Sequence, residues 1–180
     1  MKLLTIGHGT ASAGEFADLI SHAGIQLLID VRSVPKSRRH PHFWLEEMAI
    51  WVPQRSGAAY EWNEALGGFR KTRADSENVA WRHPAFRGYA DYMETEPFQR
   101  ALDNLLRGAA EQQIAIMCSE SLWWRCHRRL IADAAVLLHE VEVMHLFHNG
   151  KLIEHVPTAG ARVLNSHQLR YDVIENDDRD

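Results

Sequence analysis

The sequence predicts an α/β domain, a three-layer sandwich built on a mainly parallel sheet and closed by a C-terminal β-hairpin. Three observations carry that prediction. Short, nearly all-apolar runs at Leu3–Ile6, Leu27–Val31 and Ile114–Cys118 read as strands buried on both faces, which marks parallel sheets. Amphipathic stretches at helical spacing separate them, so strand, helix and strand follow one another as a βαβ unit. Asn149-Gly150 lies between the alternating run Val141–Phe147 and the run Leu152–Val156, a strong two-residue hairpin signal.

Each element has its own local reason. Leu3–Ile6 ends in the glycine turn Gly7-His8-Gly9-Thr10. Ser12 and Glu15 fit a capping box, Phe16, Leu19, Ile20 and Ala23 repeat at helical spacing, and Gly24 suits the helix end. The second strand, Leu27–Arg32, stays apolar until its last residues. Ser33–His42 is polar, broken by Pro35 and Pro41, and carries Lys36, Arg38 and Arg39, as a loop over an active site does. Phe43–Val52 reads as a short helix, Ala58–Trp62 as a short strand, and Arg70–His83 as a loop or insertion. Pro84 opens a helix with Phe86, Tyr89, Ala90 and Met93 on one face; Thr95 and Pro97 restart it, and Phe98, Leu102, Leu105 and Leu106 carry it to Gly108. After the strand Ile114–Cys118, a polar loop leads to a helix over Arg128–Leu138.

Size and charge bound the rest. With 180 residues, 46% hydrophobic and 24% charged, the chain suits one domain over residues 1–170 and an acidic tail over 171–180. The tail's five acids against Arg179 account for the whole net charge of -4, while the stretch from Arg32 to Arg87 is basic. Sixteen of the twenty basic residues are arginine, whose planar fork suits phosphate and carboxylate; codon usage in a GC-rich genome explains the same bias. No apolar run approaches the ~18 residues of a membrane span, and Met1–Gly7 lacks the pattern of a secretory signal. The expectation is a cytoplasmic protein without a membrane partner. Two cysteines, Cys118 and Cys126, in that setting point away from a structural disulfide.

In open parallel sheets ligands bind beyond the carboxyl ends of the strands. Three strand ends here carry groups that strands do not need: His8, then Asp30 and Arg32, then Cys118, Ser119 and Glu120. Each has a structural alternative: His8 a turn residue, Asp30 a partner for Arg32. The stretch Cys118–Arg129 is the richest, with a thiol at a strand end, a loop and a helix start. That is the layout of cysteine-dependent anion cradles such as rhodaneses and tyrosine phosphatases, and it gives the fold class its rhodanese- or flavodoxin-like label. The first Arg after Cys118 is however Arg125, seven residues on, and the loop holds Trp123 and Trp124 in place of small residues. Cys118, Glu120, Cys126 and His127 could ligate zinc or iron, but adjacent residues on a helix diverge by about 100°, so no metal ligand set is assigned. Trp62, Trp81, Trp123, Trp124 and Phe43 beside arginine-rich loops could stack nucleic-acid bases, or could simply pack.

These residues also carry a family resemblance. Thr5–Thr10, Asp30–Ser37, Leu66-Gly67-Gly68, Phe86–Met93, Cys118-Ser119-Glu120, Cys126-His127-Arg128 and Val143–Leu146 occur together and in order. The sequence resembles the domain-of-unknown-function 488 family, small bacterial and archaeal proteins. The resemblance implies an α/β domain with a shared polar cluster at these motifs and supplies no reaction. Gly88, awkward within a helix, fits close approach of backbone or ligand, which would turn Arg87, Tyr89 and Tyr92 to the cleft.

The leading expectation is an enzyme on a small phosphorylated ligand or nucleic acid. Arg32, Arg87 and Arg128 would hold the anion with Tyr89 beside them. Glu120 or Asp30 would act as general base or acid, and His8 or His127 would assist proton transfer. Cys118 would be a nucleophile or a cleft-lining thiol. The alternatives are a sulfur-transfer-like enzyme using Cys118 and a non-catalytic nucleic-acid or protein binding module. No cofactor is assigned.

Overall fold

A computed structural model describes residues 1–165 and 168–173. Six strands form one sheet in the order β3-β2-β4-β1-β5-β6: β1 Lys2–Gly7, β2 Leu27–Asp30, β3 Ala59–Trp62, β4 Ile114–Cys118, β5 Glu142–Leu146 and β6 Leu152–Glu154. The first five are parallel and β6 returns antiparallel to β5, with Leu146 opposite Leu152, so the expected hairpin forms. Its turn is the three-residue loop His148-Asn149-Gly150, closed by Gly150 N on Phe147 O and Phe147 N on Lys151 O, both at 2.9 Å, with only the glycine at positive φ, and not the two-residue turn that Asn149-Gly150 signals. β1 and β2 are not neighbours; β4 lies between them.

Helices cover both faces. α1 (Ala13–His22) and α2 (Leu45–Ser56) pack Phe16, Ile20, Met48 and Val52 onto Leu4, Ile6, Leu28 and Met117. α3 (Pro84–Met93), α4 (Glu96–Glu111) and α5 (Arg128–His139) bury Tyr89, Phe98, Leu102, Leu105 and Ile131 against Leu3, Ile29, Ile116 and Val143. Neighbouring residues of β1 and β4 thus serve opposite cores, and that is why these strands read as apolar runs without alternation. Each such fully buried side chain contributes roughly 1.5–3 kcal/mol.

The capping box at α1 forms as read: Ser12 Oγ accepts from Glu15 N at 3.2 Å, and Glu15 Oε2 accepts from Ser12 N at 2.8 Å. Gly24 follows α1 at φ +64, and Ile25 N closes the turn onto Ile20 O at 3.1 Å. Four details depart from the sequence reading. α2 starts at Leu45, because Pro41–Phe43 forms a separate 3-10 turn, and runs on to Ser56. α4 continues past Gly108 to Glu111. A second antiparallel hairpin, β7 (Ala161–Asn165) with β8 (Gln168–Tyr171), was not anticipated; both strands are short, β7 is largely exposed and β8 buries only Leu169 and Tyr171, so no apolar run announces them. Finally, Tyr171 is buried in β8 and donates its hydroxyl to Asp133 Oδ2 at 2.9 Å, so the packed chain reaches past residue 170. Most of the acidic tail, 174–180, lies outside the described residues. Among the described residues no helix is long and apolar enough to cross a membrane.

Candidate functional site

The connections leaving β1 and β4 go to opposite faces of the sheet: β1 leads through α1, β4 through α5. Where such neighbours part, a crevice opens beyond the strand ends. Residues 7–10 and 118–127 meet there. His8 N donates to Cys118 O and Gly9 N to Ser119 O, both at 2.9 Å. Gly7 is required by this approach, since a Cβ on it would lie 1.9 Å from Glu120 O.

A cavity of about 630 Å³ opens at this place. Its walls include His8, Arg32, Cys118, Glu120 and His127, five of the residues expected at the site. Cys126 lines it as well, with Lys36, Gly68, Phe69, Trp124 and Arg125. Ligating atoms of Cys118, Cys126 and His127 all lie within 4.8 Å of one another. His127 Nε2 is 2.9 Å from Val31 O, which can only accept, so Nε2 is a donor and Nδ1 is the nitrogen that bears the lone pair whenever the ring is neutral. That Nδ1 is 4.0 Å from Cys118 Sγ and 3.7 Å from Cys126 Sγ. The expected divergence of Cys126 and His127 does not arise. Cys126 is extended at φ -129, ψ 149, and His127 is the N-cap of α5, so the pair precedes the helix instead of lying on it.

The two thiols differ electrostatically. Burial would push Cys126 up, but its hydrogen bond with Cys118, the Arg128 guanidinium (Nε at 3.3 Å) and His127 together hold it well below the ordinary thiol range. Cys118 is pushed up by that same hydrogen bond and by burial.

The other expected residues have structural partners. Asp30 is fully buried: it accepts from Arg32 Nε at 2.9 Å, Arg32 Nη2 at 2.5 Å and the Tyr60 hydroxyl at 2.7 Å. Arg32 also donates to Phe43 O at 2.7 Å. Burial works against its charge, but the Asp30 carboxylate more than compensates and raises its pKa. Arg128, 1% exposed, donates to Glu120 O. Arg87 lies off the cavity with Nε on Trp81 O at 2.9 Å, and Tyr89 is buried beneath the His127 ring with its hydroxyl on Leu66 O. Neither reaches the cavity wall, because Gly88 lets α3 lie against the backbone of Arg70 and Lys71 and turns this face inward. Two of the three arginines expected to grip an anion are thus spent on fixed acceptors, and the third faces elsewhere.

Of the candidate base-stacking rings, Phe43 is buried against His8, Trp81 packs on Phe86 and Tyr171, and Trp123 stacks on His145 at 4.0 Å and 7°. Trp124 is 42% exposed at the cavity, and Trp62 is 38% exposed with its indole N–H on Arg32 O. His8 carries one buried atom without a partner. Its Nδ1 faces Gly9 O at 2.9 Å, which leaves Nε2 as an acceptor that nothing in the described structure satisfies. Burial, Arg32, and the nearby His40 and His42 lower its pKa to about 3, so the ring is neutral at physiological pH.

Sequence reasoning placed Lys36 in an active-site loop without giving it a role, did not single out Gly68, Phe69 or Arg125 for the site, and left Cys126 an open alternative. The clue at Cys126-His127 was there; the helix assumption hid it.

The fold and the crevice define a mainly parallel α/β protein in which a pair of thiols and an imidazole gather where the chain connections part. The chain belongs to the family described as "Domain of unknown function DUF488", which matches residues 12–135 and so includes α1 through most of α5. Comparison with curated proteins and with solved structures found no match.

Proposed function

We propose that this protein is an enzyme acting on a small phosphate-bearing ligand of the nucleotide class, bound in the cavity at the β1–β4 crevice. The observation that supports the reading is that His8, a residue lining the cavity, keeps a buried Nε2 without a partner among the described residues. A buried acceptor without a partner costs roughly 1–3 kcal/mol, which a donor on a bound ring recovers. Cation and aromatic groups complement it. Lys36 and Arg125 are exposed, line the cavity and have no partner among the described residues, so they replace Arg32, Arg87 and Arg128 as anion holders. Exposed Phe69 and Trp124 offer faces to a planar group. The reacting part of the ligand then lies over Cys118, Cys126 and His127, with the free Glu120 side chain at the wall.

The sulfur-transfer alternative needs several loop amides aimed at the Cys118 thiol. The Ser119 backbone does hydrogen-bond the Cys118 thiol, but the amides of Arg125 and Cys126 donate to Leu122 and Trp123 carbonyls at 3.1 Å, which favours the ligand-binding reading. Calorimetric titration with ribonucleoside mono- and diphosphates tests it. Saturable binding is expected, weakened at least about tenfold in the Lys36→Ala/Arg125→Ala double variant, as loss of charge-assisted hydrogen bonds implies. Absence of saturable binding at millimolar nucleotide, or equal affinity in the double variant, refutes it.

A further inference from the structure

We propose that Cys118, Cys126 and His127 hold one divalent cation of the zinc class, with its fourth coordination position facing the cavity. The inference deepens the proposed function and rests on it only for the use made of the ion.

Geometry carries it. A tetrahedral zinc with Zn–S of about 2.3 Å and Zn–N of about 2.1 Å places sulfur and nitrogen about 3.6 Å apart. Cys126 Sγ and Cys118 Sγ lie 3.7 and 4.0 Å from His127 Nδ1, and all three ligating atoms fit within 4.8 Å. Those spacings are long for hydrogen bonds and close to the edges of a coordination tetrahedron. The imidazole is already prepared: Nε2–H is fixed on Val31 O at 2.9 Å, which sets the tautomer and aims the lone pair of Nδ1 at the sulfurs. A ligating histidine almost always donates its other N–H in this way.

Two further features fit. A Cβ on Gly68 would lie 2.5 Å from His127 Nδ1, so glycine there keeps that edge of the ring uncovered. Arg128 Nε, 3.3 Å from Cys126 Sγ, is a donor to a ligating sulfur. Among the described residues no carboxylate completes the cluster, and all three ligands line the cavity. Three protein ligands with one position open to a substrate cavity is the arrangement of catalytic zinc, whereas structural zinc is closed by four. A water in that position would have a lowered pKa.

The test uses the full chain, reduced and stripped of metal. Titration with cobalt(II) alone should saturate at one ion per chain, with a thiolate-to-cobalt charge-transfer band and the intense visible bands of four-coordinate cobalt. Zinc should displace it and shield both thiols from a disulfide reagent. Cys118→Ser and Cys126→Ser should each weaken the charge-transfer band. Gly68→Ala, which keeps all three ligand residues but drives a Cβ onto the His127 ring, should weaken cobalt binding at least tenfold with an unchanged circular dichroism spectrum. A folded, reduced wild-type chain that takes up neither ion, or whose two thiols react equally fast with and without excess zinc, overturns the proposal whatever the variants do. Nucleotide titration of the same stripped chain separates the two readings. Binding without metal uptake sinks the cation and keeps the ligand; metal uptake without nucleotide binding does the reverse.

Discussion

Replacing Asp30 by Asn should destabilise the protein far more than it alters the cavity. The carboxylate is fully buried and accepts from the Arg32 amide, the Arg32 guanidinium through two nitrogens, and the Tyr60 hydroxyl. Asn keeps the shape and one acceptor oxygen but removes the charge. Arg32, 6% exposed, then remains ionised with no counter-charge, with only the retained Asn oxygen, Phe43 O and Met48 Sδ to accept from it. Breaking a buried pair from one side costs about 3–5 kcal/mol. For a chain of this length that lowers Tm by roughly 6–20 °C. Urea unfolding followed by tryptophan fluorescence measures it, with an unchanged denaturant slope as the control. The double variant Asp30→Asn/Arg32→Met should lose less than the sum of the two single variants, because no orphan charge is left. A loss below about 1 kcal/mol in Asp30→Asn, or strict additivity in the double variant, would show that Asp30 is not a structural counter-ion and would return it to the list of proton-transfer candidates.

Two further outcomes follow from buried groups. His145 is held neutral within a chain from Thr5 Oγ1 through His145 and His155 to Asp133, with Arg128 nearby and Trp123 stacked on its ring. Burial, then the charges of His155 and Arg128, lower its pKa from 6.5 to about 3. Because the unfolded chain binds that proton first, stability is complete above about pH 6.5 and falls as pH drops towards 3, by roughly 2–3 kcal/mol at pH 4.5. Urea midpoints across this range should fall less steeply in His145→Gln than in the wild type; parallel slopes would refute the assignment. Gly88→Ala should destabilise although alanine gains about 1 kcal/mol in a helix. A Cβ there would meet Arg70 O at 2.4 Å and Lys71 C at 2.8 Å, so α3 must move, at a cost of about 1–3 kcal/mol beyond that gain. A rise in Tm would refute the close approach.

Much of this was legible from one chain. Apolar runs need no partner to be recognised, so β1, β2 and β4 and their helices could be read directly, as could the Ser12–Glu15 capping box and the Asn149-Gly150 hairpin. The rule that ligands sit at strand carboxyl ends pointed to His8, Arg32, Cys118 and Glu120, the stretch after Cys118 added His127, and the cavity is lined by all five.

Residue chemistry alone could not say which charges are free. Arg32, Arg128 and Lys36 look alike as cations in the sequence; only packing shows two of them turned onto Asp30 and Glu120 O and the third exposed. Nor could spacing place Cys126 beside His127 Nδ1, because that depends on the backbone being extended at Cys126 and entering α5 only at His127. Sequence determines what local pattern and burial demand, and these are short-range. Partner choice among polar groups is settled by contacts between segments as distant as Val31 and His127, and those exist only once the sheet has closed.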